Sequence, residues 1–170
     1  LTQKAIFGFG QNGGTRTGVT NLVSDSGVVA SDTSAVGTAR DTPAAAGYGE
    51  DKAIFGFGST GTRTAITNLV SNSGVVASDT SGVGTARNDL AAAAFGGDKA
   101  IFGFGNDGST TNLSNLVSNS GVVATDTAGV GTSRSVLAAA GYGGDKAIFG
   151  FGHTGSGWTT VTNLVSNSGV

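Results

Sequence analysis

The chain has 170 residues, of which 31 are Gly and one is Pro, with neither Cys nor Met. Charged residues make up 12% and the formal net charge is −2, too little charge for a disordered, solvating chain or a long surface helix, and no basic footprint for nucleic acid or an anionic membrane. Without Cys there is no disulfide, thiol nucleophile or zinc–thiolate site, Gly does not recur at every third position as collagen needs, and no apolar run approaches the ~20 residues that insert across a bilayer.

Self-similarity organises the sequence. The string Lys-Ala-Ile-Phe-Gly-Phe-Gly starts at Lys4, Lys52, Lys99 and Lys146, at spacings of 48, 47 and 47 residues. No linker or change of composition divides the copies. Residues 1–170 therefore read as a single repeat domain, with repeats starting near 4, 52, 99 and 146 and the first and last incomplete. Leu1, with no initiator Met, reads as a processed end or a cut fragment.

In chain order, each copy opens on the Lys string, as in Lys146 to Gly152, a strand apolar on both faces. A loop follows, then Asn-Leu-Val-Ser at Asn21, Asn68, Asn115 and Asn163, inside a strand such as Thr162 to Ser166. The tetrad Ser118-Asn119-Ser120-Gly121 and its counterparts form a hairpin turn, with Gly free to take a positive φ. Val122 to Thr127 is the next strand. A Val-Gly-Thr-x-Arg stretch closes on Arg40, Arg87 and Arg134, and an Ala-rich run such as Leu137 to Tyr142 leads back to Lys. These runs have strand lengths and are bounded by turn-forming Gly, Asn, Asp and Ser. The Ala-rich run is too short to hold a helix by itself.

Counting the Ala-rich run as the first strand, each period holds four short antiparallel strands. A sheet with one wet face would alternate; these do not, so the sheets are sandwiched between neighbours. The expectation is an all-β propeller of four-stranded blades, about fourteen strands arranged radially with almost no helix. Its core would be Ile6, Phe7 and Phe9 with their repeats Ile54, Phe55, Phe57, Ile101, Phe102, Phe104, Ile148, Phe149 and Phe151.

The unit from Val130-Gly131-Thr132-Ser133-Arg134 through Leu137-Ala138-Ala139-Ala140-Gly141-Tyr142-Gly143 to Lys146-Ala147-Ile148-Phe149-Gly150-Phe151-Gly152 resembles a kelch repeat. Kelch blades carry a Pro-Arg start, a small apolar first strand and a second strand ending in Phe-Gly-Gly; here Thr-x-Arg and Phe-Gly-Phe-Gly stand at those places. The Tyr and Trp usual in the third and fourth kelch strands are replaced by Leu164, Val165 and Val170. The repeat also resembles tandem repeats of phage-tail, virion and environmental bacterial surface proteins. The resemblance implies a binding or structural role at an extracellular or virion surface, not chemistry and not a cofactor.

The spacing is constant from Asn of Asn-Leu-Val-Ser to the Arg, 19 residues, and from that Arg to the next Lys, 12 residues. Length and sequence vary only between the Lys string and Asn-Leu-Val-Ser, where the intervals are 11, 10, 10 and 11 residues, and sequence varies again just after the Arg. In an antiparallel meander alternate connections lie at the same end, so these two variable loops share one face, and binding at a repeat array usually resides on such a face. The candidate ligand-binding residues are Arg16, Arg63, Asn106, Asp107, His153 and Trp158, a set suited to a sugar or a protein surface. A solvated loop residue is the plainer reading of His153, whose counterparts are Gln11, Ser59 and Asn106, and a packed edge residue is the alternative for Trp158.

No catalytic residue and no metal ligand emerges. The recurring Asp32, Asp79 and Asp126, and Asp51, Asp98 and Asp145, supply one carboxylate per position per repeat, short of the clustered oxygens Ca²⁺ takes; they fit strand-end caps and Lys or Arg pairing. The Phe-Gly-Phe-Gly glycines precede no helix and are no phosphate cradle. The chain therefore reads as a non-enzyme: an adhesion or receptor-binding propeller, or alternatively a structural repeat of a fibre, filament or virion part, or an excised or engineered fragment. The incomplete first and last blades leave open edges, for which the expectation is completion by neighbouring chains through self-association near Ala5–Phe9 and Thr162–Ser166, with no nucleic acid partner and no membrane insertion.

Overall fold

The computed structural model describes residues 5–170; the first copy of the recurring Lys, Lys4, and the terminal Leu1 lie outside them. Among the described residues there are eleven strands and no helix. They are β1 (Ala5–Asn12), β2 (Thr15–Val23), β3 (Ala44–Tyr48), β4 (Lys52–Gly56), β5 (Thr67–Val70), β6 (Ala91–Phe95), β7 (Lys99–Gly103), β8 (Ser114–Val117), β9 (Ala138–Tyr142), β10 (Lys146–Gly150) and β11 (Thr162–Val165). They form four antiparallel sheets: β1–β2, β3–β4–β5, β6–β7–β8 and β9–β10–β11. The register repeats from sheet to sheet: Ala46 faces Ile54, Ala93 faces Ile101 and Ala140 faces Ile148 across the first pair of strands.

The fourth segment of each repeat is not a regular strand, which is why eleven strands are found and not fourteen. It touches the third strand at two isolated bridges per repeat: Thr20 with Thr33 and Val23 with Val29, Thr67 with Thr80 and Val70 with Val76, Ser114 with Thr127 and Val117 with Val123. A side chain enters the ladder between them. Asn21, Asn68 and Asn115 each donate their Nδ2 to the carbonyl of Ala30, Ala77 and Ala124, at 3.1, 3.0 and 3.0 Å, so those carbonyls are satisfied without a strand N–H.

The sheets stack in sequence order through phenylalanine. Phe9 meets Phe55 at 5.1 Å between ring centroids, Phe57 meets Phe102 at 5.1 Å and Phe104 meets Phe149 at 5.4 Å, edge-on or tilted as ring quadrupoles prefer. Two residues apart on a flat strand, Phe55 and Phe57 would face the same side. They face opposite neighbours because Phe57 takes φ 63°, as Phe9, Phe104 and Phe151 do at 63–64°, and the first sheet shows the resulting bulge as a register shift between Gly8 and Gly10. The bulge re-aims the second ring. Gly56 and Gly103 make the approach possible: a Cβ on them would lie 2.7 Å from Cζ of Phe102 and 2.9 Å from Cζ of Phe149.

Ile54, Phe55, Phe57, Ile101, Phe102, Phe104 and Phe149 are buried as expected. Ile6, Phe9 and Ile148 are half-buried. Phe7 and Phe151 are not core; they are 62% and 58% exposed. Phe7 corresponds to Phe55, whose ring leans on the preceding sheet, and Phe151 to Phe57, whose ring leans on the following one. On the outer faces of the first and last sheets those neighbours are absent among the described residues, and the two faces do not cover each other.

Candidate functional site

Two side-chain systems recur along the stack, one inside it and one at its variable end. The inner one is built on Arg40, Arg87 and Arg134, each fully buried. Each guanidinium lies over the ring of a phenylalanine of its own repeat, at 4.0 Å from Phe9, 4.5 Å from Phe57 and 4.2 Å from Phe104, and donates into the following one. Arg40 reaches Asn68 Oδ1 at 2.7 Å, Arg87 Asn115 at 2.5 Å and Arg134 Asn163 at 2.7 Å. The Asn is held from behind by a carboxylate: Asn68 donates to Asp79 and Asn115 to Asp126, both at 2.9 Å. That carboxylate also caps the previous repeat, accepting from Thr38 N at 3.1 Å and Oγ1 at 2.6 Å, and from the same atoms of Thr85 at 2.8 and 2.7 Å.

Burial pulls all three guanidinium pKa values below the ordinary one, Arg40 to about 10, with the nearby Asp79 resisting. Burial pushes the Asp79 and Asp126 carboxyls up, but the hydrogen bonds from Thr and Asn and the Arg charge outweigh it, and both end below the usual carboxylate value. A buried charge is tolerated only when paired and hydrogen-bonded; Arg87 has both, with Asp126 at 3.3 Å, while Arg40 and Arg134 are hydrogen-bonded through Nη but leave Nε without a partner among the described residues. The arrangement is a clamp between repeats, with no open position for a substrate.

The second system is the row of variable loops. Isolated bridges tie the loop before Asn-Leu-Val-Ser to the stretch after the Arg in three places: Asp41 with Ser59, Asn88 with Asn106, and Ser135 with His153. Both variable stretches thus lie at one end of the sheets. Neighbouring loops also touch. Arg16 pairs with Asp41 at 3.2 Å, Arg63 donates to Asn106 Oδ1 at 2.7 Å, and Thr110 Oγ1 donates to the Thr154 carbonyl at 3.2 Å. The constant turns adjoin one another instead: Asn72 donates to Asp51 and Asn119 to Asp98, at 3.1 and 2.9 Å, and Gly49 N and Gly96 N donate to the carbonyls of Asp98 and Asp145.

Arg63 and Asp107 are exposed, and Arg16, Asn106 and His153 half-buried. Trp158 is 75% exposed, with the His153 ring edge-on at 5.2 Å. His153 Nδ1 accepts from Gly155 N at 3.0 Å, which fixes its ring in the loop. Arg63 and Asn106 are brought together, as are His153 and Trp158; Asp107 instead caps its own turn through Ser109 N at 3.2 Å. Sequence reading missed Asp41, the partner of Arg16, and Asp89. The Asp89 carboxyl is pushed up by burial and by the charge of Asp41, with Arg63 opposing. Both lie in the second variable patch, so their variability was the available signal.

Among the described residues no group of three or more His, Asp or Glu side chains is placed to hold a metal ion. No protein-family profile matches the chain, and no curated protein matches it.

Proposed function

We propose that the chain is a kelch-like repeat module of propeller type that binds a glycan or a surface protein through its variable-loop row, by contact and without catalysis, at a virion or cell exterior. The single observation that carries this reading is the grouping of the variable residues. Loops that differ in every repeat adjoin at one end of the sheets, while the loops that scarcely differ adjoin each other, and the variable row ends on an exposed Trp beside a fixed His. An exposed aromatic at the end of a loop row that also carries Arg, Asn and Asp suits the apolar face and hydroxyls of a sugar or an amphipathic protein patch. Four-stranded blades are supported by the paired bridges from each fourth segment to its third strand.

The test is a glycan array and a panel of surface-protein extracts probed with the wild-type chain and with Trp158→Ala and Arg63→Ala. Specific binding that drops by about tenfold or more on either substitution is expected, since an exposed aromatic or Arg anchor contributes on that order. Binding indifferent to both substitutions counts against the loop row.

A second reading has its own observation. Phe7, Phe151 and Leu164 are 62%, 58% and 64% exposed on the two outer faces, which favours a structural repeat that self-associates into a fibre or virion part. Light scattering across concentration separates the two: concentration-dependent growth abolished by Phe151→Ser supports assembly.

A further inference from the structure

The residues other than Gly that take left-handed backbone fall into three sets. Phe9, Phe57, Phe104 and Phe151 are the same residue at the same place, and Glu50 stands where later copies have Gly. Thr42, Asp89 and Val136, with φ 49°, 54° and 52°, share one position, two residues after the buried Arg, and carry a different side chain each time. The backbone there is pinned. The carbonyl just before each of them would lie 2.5, 2.8 and 2.8 Å from a Cβ on Gly58, Gly105 and Gly152, and isolated bridges tie the residue just before to the neighbouring loop. Successive members adjoin: Val136 N donates to the Asp89 carbonyl at 2.9 Å. Gly would relax the strain in all three, yet none is Gly, and strained backbone of this kind persists where the side chain it presents has a task.

Asp89 is the one charged member of the set. It is half-buried, at the place where the loop of the second repeat, through Arg63, meets that of the third, through Asn106. Its carboxylate accepts no hydrogen bond and joins no ion pair among the described residues, because both guanidiniums of the loop row are engaged elsewhere: Arg16 with Asp41 at 3.2 Å, and Arg63 through Nη2 with Asn106 at 2.7 Å. Burial and the Asp41 charge push the Asp89 carboxyl up, and Arg63 is near enough to oppose them. An acceptor-only carboxylate thus stands beside an exposed, donor-only guanidinium that has N–H groups to spare. A half-buried carboxylate without a partner calls for a cation.

We infer that the loop row takes a glycan through a free hexosamine unit, whose protonated amino group pairs with Asp89 while an adjacent ring hydroxyl accepts from Arg63. The inference rests on the loop-row reading above and names its ligand. An amino sugar carries the two groups on neighbouring carbons of one rigid ring, so a single unit answers both the carboxylate and the guanidinium. A lysine ammonium offers donors alone, leaves Arg63 unanswered and gives up the rotamer freedom of a four-carbon stem on binding. Thr42 and Val136 are neutral and do not repeat the contact, so each chain takes one ammonium, between its second and third repeats.

The test titrates the whole chain by calorimetry with a glucosamine trimer and with its N-acetylated counterpart, at about pH 6, which leaves carboxylates ionised and sugar amines protonated. Saturable one-to-one binding of the free-amine trimer is expected. N-acetylation of the trimer, or Asp89→Asn in the protein, should each weaken it by about tenfold or more, the usual weight of a charge-assisted hydrogen bond. The N-acetylated trimer should not distinguish wild type from Asp89→Asn. Asn keeps the size of the side chain and accepts left-handed backbone readily, so Asp89→Asn should melt no lower than wild type. Equal binding of the two trimers overturns the inference, as does binding that survives Asp89→Asn or a free-amine trimer that does not bind. A trilysine peptide that displaces the free-amine trimer at equal concentration makes the partner a basic protein, and likewise overturns it. Failure of this inference is separable from failure of the loop-row reading. A glycan whose binding falls with Arg63→Ala but not with Asp89→Asn keeps the loop row as the site and removes only the ammonium contact, whereas a glycan array with no specific binder removes a glycan as the ligand of the row.

Discussion

Replacing Arg87 by Met removes the clamp between the second and third sheets while keeping the aliphatic stem. The guanidinium donates to Asn115 Oδ1 at 2.5 Å and from Nε to the Phe104 carbonyl at 2.9 Å, lies 3.3 Å from Asp126 and covers the Phe57 ring at 4.5 Å. Asn115 is fully buried and Phe104 nearly so. Each acceptor stripped of its donor costs about 1–3 kcal/mol, and the lost cation–π contact adds about 0.5–2 kcal/mol. Relief of the guanidinium's own desolvation, visible in its lowered pKa, offsets part of this. The net expectation is about 3 kcal/mol, within the range for breaking a buried ion pair from one side. Urea unfolding followed by far-UV circular dichroism reads it as a midpoint lower by about 1–3 M, given slopes of about 1–3 kcal/mol per M. Hydrogen exchange at the amides of β7 and β8 localises the loss, since each repeat of an array leans only on its neighbours. Asn115→Leu added to Arg87→Met should cost less than the sum of the two. A loss under about 1 kcal/mol, or strict additivity, would refute the clamp.

Three further outcomes follow from the same geometry. Phe102→Ala should cost about 3–5 kcal/mol in the same urea assay, whereas Phe7→Ala, at an equivalent sequence position but 62% exposed, should stay within about 0.5 kcal/mol. Glu50 has φ 69° where Gly97 and Gly144 stand in the next two repeats, and Val136 has φ 52°; Glu50→Gly and Val136→Asn should each stabilise by about 0.5–1 kcal/mol, since left-handed backbone disfavours L side chains and β-branched ones most, with a rise in melting temperature as the readout. The Asp79 and Asp126 carboxyls lie below their unfolded value, so their contribution is complete above about pH 4 and is lost as pH falls through the lower folded values; melting temperatures from pH 6 to pH 2 should drop there, and Asp79→Asn with Asp126→Asn should flatten the drop.

The repeat period, the absence of helix and the small antiparallel sheets were legible in the residues alone, because Gly, Asn and Ser punctuation and strand-length apolar runs act locally. The recurring Arg and Asp positions were legible as scaffold pairs for the same reason: a charge at one place in every repeat belongs to the interface every repeat shares. Three matters were decided only by the tertiary structure. The left-handed Phe of each Lys string sends two aromatics that period-2 reasoning puts on one face to opposite neighbours, and no local preference asks a Phe to adopt φ 63°; Phe57, Phe104 and Phe151 alike donate their N–H to a backbone carbonyl ahead of the next strand, of Ile66, Leu113 and Val161, and Phe151 keeps the turn although it is 58% exposed. The fourth segment is bridged and not laddered because a side chain, Asn21, Asn68 or Asn115, competes for its carbonyl. Burial of chemically equivalent residues diverges at the ends of the stack, Phe55 at 3% and Phe7 at 62%, because burial belongs to a pair of neighbouring sheets, and a repeat carries in its own sequence only one half of each such pair.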